Sequence, residues 1–527
     1  MKTTTLLFVT MFTCLFSLAV HAQVPSPLWS ECLGGDSIDY SSSICHVSNQ
    51  KVLMCGYTKS SLPNPATHFD AFVIKKDENG NTLFTKTYGG VQDDYFHKGI
   101  ELPTGEFLFI GSTTSSNLPG FHGFLHDILI VKTDSLGNTI WTKCYGGTGT
   151  DIARDLVYSN NTYTLVGETE SNDGDFSGMH NAPLTSYFDM FILKLDTSGT
   201  VLSSKCIGGS EDDRASSVVL LPDNTVAIIG RTSSPNDGDV LDNHSVTGSH
   251  DIFVCRVTAN LNILWSRCIG STNGEIGTSG LLKDDYLFVS GFGNSFVDGD
   301  ITQIVGEYDI ILSKIDTADG TPIFVKCYGT LGNERNFSLK ETSSGNLLLG
   351  NITTYPAYSG QSDAFVISIN TSGAIQWDIT FGGPDYDQFT DILPLDMENF
   401  MIFGYTTLQS GYPGYIGGGT DWLLIGSYVP FQPFAPLTTE TQFIAVEKSD
   451  ISVSPNPSTG MIRVSIPYED TSSEAIVSFF DLSGKIVLSE KTSEMMYITD
   501  ITHFPKGLYV LCVQSGIQTF YKKVQKM

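Results

Sequence analysis

The chain is poor in positive charge. It carries 29 Lys and Arg against 57 Asp and Glu, a formal net charge of −28 over 527 residues. That deficit excludes nucleic acid and anionic membrane surfaces as partners and leaves cations and basic surfaces. No Cys-x-x-Cys pair and no Cys/His cluster is present, which excludes the usual zinc sites. Gly-x-Ser-x-Gly, His-Glu-x-x-His and phosphate-loop signatures are missing, so no common hydrolase, metalloprotease or nucleotide motif announces an activity. Beyond the first 20 residues no apolar run reaches membrane-spanning length, so no transmembrane span is expected.

The first 22 residues read as a secretory signal. Lys2 precedes an apolar stretch from Leu6 to Val20, and Val20-His21-Ala22 supplies small residues at −3 and −1 of a cleavage site. Cleavage between Ala22 and Gln23 is expected. The acidity is not spread evenly. Residues 449–527 hold eight acids and seven bases, so residues 23–448 carry essentially all of the −28.

What the acidic region does have is a repeat. A glycine is followed five residues later by an acid, seven times: Gly34/Asp39, Gly89/Asp94, Gly146/Asp151, Gly208/Asp213, Gly270/Glu275, Gly329/Glu334 and Gly382/Asp387. The second glycine of the pair becomes Ser271 and Thr330 in two copies. Two further markers keep step. A glycine ends each second strand, from Gly56 through Gly350 to Gly404, and an aspartate opens each third strand, from Asp70 to Asp421. Units of this length mean an array of like modules. In the third unit, Ala153–Tyr158, Tyr163–Gly167, Met190–Leu195 and Val201–Cys206 read as four antiparallel strands, with Asn160-Asn161 and Thr197-Ser198-Gly199 as turns. Four strands per unit is the composition of a propeller blade. The last unit lacks its fourth strand, and Leu28–Leu33 at the mature N-terminus supplies one. The expected fold is therefore all-β: a seven-bladed β-propeller over 23–428, closed by an N-terminal strand, then a linker over 429–448.

Cys32, Cys144, Cys206, Cys268 and Cys327 share one repeat position. A whole unit separates neighbours, too far for disulfides, so they read as small buried side chains. The repeat acids read as turn-pinning carboxylates, because a short acid beside a glycine turn accepts backbone N–H bonds.

The tail changes character. Ser454–Gly460 reads Ser-Pro-Asn-Pro-Ser-Thr-Gly; Phe480–Val487, Phe504–Val510 and Lys522–Val524 follow as short strands and turns of a small Ig-like β-sandwich. These four motifs, in this order, closely resemble the C-terminal sorting domain of type IX secretion clients, over 449–527. The resemblance implies recognition by the type IX secretion machinery, outer-membrane export after Sec transport, and removal of the tail with release or attachment to surface lipopolysaccharide. The repeat region is similar to bacterial seven-bladed propeller repeats that accompany such tails. That family has no single activity, so the likeness bears on architecture alone.

Three units carry Asp-Gly-Asp in the loop after the second strand: Asp173/Asp175, Asp237/Asp239 and Asp298/Asp300. Paired carboxylates around a glycine suit Ca2+, which takes six to eight oxygens, and equally suit a solvated turn. His126-Asp127 and His250-Asp251 repeat a pair at the third-strand start. Aromatic loops at Tyr355–Tyr358 and Tyr412–Tyr415 favour a binding surface. The reading is a secreted or cell-surface propeller that binds an extracellular protein or glycan without catalysis. The alternative is a secreted hydrolase or lyase acting on polysaccharide.

Overall fold

The computed structural model describes residues 29–48, 50–60, 67–180, 187–246, 248–354, 362–381, 386–395, 399–407, 420–426, 452–454, 460–465, 475–480, 486–492, 496–515 and 518–526. The expected cleavage site, the linker and the loops Tyr355–Tyr358 and Tyr412–Tyr415 lie outside these residues. The chain divides into two compact units, Met1–Phe434 and Ala435–Met527. Among the described residues the fold is all-β, with no helix long and apolar enough to cross a membrane.

The first unit contains seven four-stranded antiparallel sheets. Six follow the chain directly, over 39–88, 94–145, 151–207, 213–269, 275–328 and 334–381. In the seventh, Asp387–Pro394, Phe400–Thr407 and Thr420–Gly426 are completed by Trp29–Leu33 from the other end of the unit, paired from Trp29↔Gly426 to Leu33↔Trp422. The third sheet is made of Asp151–Ser159, Thr162–Thr169, Asp189–Asp196 and Val201–Ile207. Asn160 and Asn161 both have positive φ, 51° and 58°, as a two-residue hairpin turn with matching twist requires. Its third strand is buried along nearly its whole length, which its unbroken apolar run anticipates.

Each sheet packs on the next through its two central strands. Ile110, Ile128 and Ile130 of the second sheet meet Leu165, Phe191 and Leu193 of the third. The seventh and first sheets meet the same way, through Phe403, Trp422 and Leu424 against Met54, Phe72 and Ile74. Polar contacts repeat as well. Asp155 of the third sheet accepts from Ser217 Oγ (3.0 Å) and Val218 N (3.0 Å) of the fourth. Asp391 of the seventh accepts from Ser43 Oγ (3.3 Å) and Ile44 N (3.2 Å) of the first, at the equivalent positions. Lys76, 2% exposed, is held by both oxygens of Glu31 at 2.7 and 2.8 Å, tying the first sheet to the N-terminal strand. The five repeat cysteines are buried and unbonded, and burial pushes the Cys144 and Cys206 thiols up to about 12.

The Gly-Gly-acid turn works as a clasp. Asp151 Oδ2 accepts from Gly147 N (2.9 Å) and Ser171 Oγ (2.7 Å), and Thr169 Oγ1 donates to Oδ1. Asp39 and Asp94 repeat the set with Thr58/Ser60 and Thr113/Ser115. The decay of the second glycine has a reason. In the two copies where it is Ser271 or Thr330, the acid is the longer Glu275 or Glu334, and the new hydroxyl donates to it at 2.7 or 2.6 Å.

The second-strand glycine answers a close approach. A Cβ at Gly167 would stand 1.9 Å from Ile152 O. It lies opposite a β-bulge between Ala153 and Asp155, where the first strand bends toward it. Gly350 does not share this register. Asn351 stands opposite Asn336, and their side chains bond to each other at 2.8 Å. The sixth sheet thus replaces the glycine contact with an amide pair, a difference that glycine counting conceals.

The second unit has a three-stranded sheet, Ser452–Ser454, Met461–Ser465 and Met496–Asp500, and a four-stranded sheet in the order Ile486–Thr492, Ala475–Phe480, Gly507–Ser515, Gln518–Lys526. Alternate residues of both, including Ile462, Val464, Val477, Phe479 and Leu511, form one core, the pattern of a small sandwich.

Candidate functional site

All seven first strands carry the same bulge, and it determines where the sheets differ. The register shift falls between the second and fourth residues after the repeat acid in every copy. A bulge re-aims the extra side chain. Here the bulged residues are Ser42, His97, Arg154, Ser216, Thr278, Phe337 and Thr390, and all seven line one cavity of about 760 Å³. The next residue in each strand also lines it, from Ser43 and Lys98 to Asp391. Turn and core positions are nearly invariant between sheets, whereas these columns hold hydroxyls, an imidazole, a guanidinium, an ammonium, carboxylates and a phenyl ring.

Charge in the cavity opposes that of the chain. Its lining holds five cations, Lys98, Arg154, Arg214, Arg231 and Lys340, against three carboxylates, Asp155, Glu168 and Asp391. The lysines are matched: Lys98 to Asp155 at 3.7 Å and Lys340 to Asp391 at 3.4 Å. Asp155 holds the Lys98 ammonium well above its ordinary range, despite burial. Burial pushes Asp391 up, but Lys340 and Lys98, with hydrogen bonds from Ser338 and Ile44 N, outweigh it and keep its carboxyl low. Arg154 grips Glu168 through Nε (3.0 and 3.1 Å) and Nη2 (2.5 Å). Burial drives His97 well below the usual imidazole range, and Arg154 adds to the effect, so the ring is neutral at physiological pH.

Beside the cavity, where the first strands begin, the rings of the seventh, first and second sheets form a continuous arc. Tyr405 meets Tyr40 edge-on at 4.9 Å, Tyr40 meets Tyr57 at 5.2 Å, and Tyr57 meets Tyr95 at 4.8 Å, with Phe69 against both Tyr57 and Tyr95. All are partly exposed. The corresponding arc in the third and fourth sheets is Arg154, Arg214 and Arg231 with Phe188, over whose ring Arg214 sits at 4.2 Å. One side is aromatic and the other cationic, an arrangement able to stack a flat apolar face while holding an anion.

The six Asp-Gly-Asp carboxylates lie elsewhere, in three separate turns. Gly174, Gly238 and Gly299 have φ of 65°, 56° and 55°, and a Cβ there would stand 2.1, 2.3 and 2.4 Å from the carbonyl oxygens of Gly146, Gly208 and Gly270, so the close approach requires glycine. Asp173, Asp237 and Asp298 accept from Thr148 N, Ser210 N and Thr272 N at 2.8 to 3.0 Å. Asp175 and Asp300 accept from Gly146 N and Gly270 N, and Asp239 lies 3.7 Å from Lys205. Each turn is thereby stitched to the Gly-Gly segment entering its own sheet. Among the described residues no three His, Cys, Asp or Glu side chains are placed to hold one metal ion.

Sequence reading singled out His126 and His250, but the histidines that engage the third-strand aspartates are others. His122, His180 and His244 each give their backbone N–H and place Nδ1 against Asp127, Asp189 and Asp251, at 3.3, 2.7 and 3.0 Å for the ring atom. Their spacing to the aspartate is five, nine and seven residues, so no fixed interval reveals them. The cavity residues did leave a signal: the column three places after the repeat acid, read down the seven copies, is among those that break the repeat.

Known proteins bear mainly on the second unit. Residues 452–527 match the family described as secretion system C-terminal sorting domain. A curated relative, regulatory protein FlaEY of Caulobacter vibrioides, is 22% identical over 206 residues, 38% of this chain; the match spans only 22% of that protein's length. Among solved structures, the endosialidase of phage phi92 is 10% identical, covering 94% of this chain and 87% of its own, with a TM-score of 0.38. An alpha-L-arabinofuranosidase from Fusarium graminearum is 12% identical, covering 76% and 98%, with a TM-score of 0.37. The chain carries a type IX secretion C-terminal sorting domain over residues 452–527, and with it an address at the cell surface or in the extracellular space.

Proposed function

We propose that the seven sheets are the blades of a β-propeller closed by the N-terminal strand, and that the exported protein binds an extracellular glycan or protein segment through the central cavity without catalysis. One observation supports this above the others. The repeat is kept wherever it builds the fold and abandoned at the bulged column that faces the cavity. Ligand sites sit in such concavities, lined by a few convergent polar groups and aromatic rings.

The alternative, hydrolysis or elimination on polysaccharide, needs a carboxyl group free to act as acid or base. The cavity carboxylates are engaged: Asp155 with Lys98, Asp391 with Lys340, Glu168 with Arg154. The carboxyls raised to about 6 or 7, such as Asp151 and Asp213, are fully buried between sheets and outside the cavity lining. A glycan array combined with polysaccharide hydrolysis assays on the secreted protein tests the reading. Retention of glycans with no product release is expected. Turnover abolished by Asp155→Asn or Asp391→Asn would establish an enzyme instead.

A further inference from the structure

Arg214 and Arg231 are directly opposite each other on neighbouring strands of the fourth sheet. Like charges in that relation repel. Asp212 relieves one of them. It accepts from Arg214 at 2.9 and 3.1 Å, but lies 3.6 Å from the nearest Arg231 nitrogen. Arg231 Nε is buried and has no hydrogen-bond partner. Arg154 is engaged by Glu168 and lines the same cavity. Three guanidinium groups therefore share two carboxylates, and the least compensated one is Arg231, whose 3.6 Å ion pair is to the carboxylate that Arg214 already holds. Burial, then the charge of Arg214, depress its basicity, with Arg154 adding to the repulsion.

A planar fork of N–H donors that is short of one anion fits an oxyanion, best a carboxylate taken side-on. Phe188 stacks under Arg214 and fixes its plane. The aromatic arc and this cluster are electrostatically coupled: burial raises the Tyr57 hydroxyl, and the Arg154 charge offsets part of that rise. We propose that Arg154, Arg214 and Arg231 form a subsite for an oxyanion carried on a saccharide, with the tyrosine arc receiving the apolar face of the sugar chain. This rests on the reading of the cavity as a glycan site. It also explains how an acidic protein would hold an acidic polymer: the repulsive charge lies between and around the sheets, and the attractive charge is concentrated at the cavity.

The experiment uses the full chain, with Arg231→Gln as the variant. Arg231 supports no hydrogen bond from Nε and opposes a like charge, so the substitution should leave the melting temperature unchanged or raise it. Millimolar galacturonate and millimolar sulfate, at ionic strength matched with chloride, are the probes. Stabilisation of the wild type by galacturonate alone assigns the subsite to carboxylated sugars, and by sulfate alone to sulfated ones. In either case the effect should vanish in Arg231→Gln, and affinity for the matching acidic polysaccharide should fall about tenfold or more, the loss of charge-assisted bonds. No stabilisation by either probe, or equal stabilisation of the variant, would overturn the subsite. Binding of neutral glycans by both proteins in that case would leave the cavity reading intact. Binding of no glycan at all would remove both.

Discussion

A chain lacking residues 23–33 is expected to melt well below the full-length protein. The deletion removes the fourth strand of the seventh sheet and leaves the backbone of Thr420–Gly426 without a partner on that edge. It also removes Glu31, whose carboxylate neutralises Lys76, an ammonium that is 2% exposed. Glu31 itself is 39% exposed, so breaking this half-buried pair costs less than the about 3–5 kcal/mol of a fully buried one, though the Lys76 charge is left out of water. Cys32 leaves the core shared by the sixth and seventh sheets as well. The single substitution Glu31→Ala tests the ion pair separately and should account for a smaller, measurable part of the loss. Calorimetry of the two variants checks this. A truncated chain that melts like the full one would mean that the first and seventh sheets hold together without the N-terminal strand.

The second large effect is a stability that falls as pH rises through neutrality. At the sheet junctions the third-strand aspartate of one sheet faces the repeat acid of the next. Asp127 Oδ1 and Asp151 Oδ2 both lie within 3.2 Å of the point a Cβ of Gly146 would occupy. Both residues are fully buried, and Asp127 Oδ1 has no hydrogen-bond partner. Burial, with each carboxylate adding to the other in places, raises Asp127, Asp151 and Asp363 to about 6 and Asp213 to about 7. The groups facing the first of these junctions are His122, bonded to Asp127, and Asp175, bonded to Gly146 N. Between an unfolded carboxyl near 3.9 and these values the folded state binds more protons, so what these groups contribute is full below about pH 4 and is lost progressively as pH rises to 6 or 7. His180 and His244 act in the same direction: their aspartate partners raise them, and what they contribute is lost as pH rises through the raised value. Asp391, held low, acts oppositely and is lost in acid. The melting temperature should therefore peak near pH 5 and drop toward pH 8. Asp127→Asn can keep the acceptor for His122 and offer a donor toward Asp151. Relative to the wild type, its stabilising effect should grow by about 1.4 kcal/mol between pH 5 and pH 8, the equivalent of the one pK unit separating pH 5 from the raised value. A melting curve flat from pH 5 to 8 would contradict the paired-carboxyl account.

Most of the architecture was legible because it is written seven times. The acid clasp, the third-strand aspartate and the alternation of turn and strand are local, and local chemistry repeats visibly. The strand lent from the N-terminus could be read from a missing piece at one end and a surplus piece at the other. Less legible was anything that depends on register. The bulge that turns Arg154 and His97 into the cavity leaves no residue-type mark of its own, only a glycine on the opposite strand, and in the sixth sheet Asn351 takes even that role. The Asp-Gly-Asp turns stand out in the sequence because only three units have them, and the backbone N–H bonds their carboxylates accept depend on the fold of the loop. The cross-strand pair Arg214↔Arg231 brings together residues 17 positions apart, and only strand pairing makes them neighbours.

The central claim is that ligands enter the cavity ringed by the bulged residues. Ser42→Trp with Ser216→Trp would fill it from two sheets at positions that face the cavity and lie outside the packed core. The glycan array of the wild type, repeated with this plugged chain at the same melting temperature, tests the claim most directly. The account predicts that the wild-type binding pattern disappears. The same pattern from the plugged chain would place the binding surface elsewhere on the molecule.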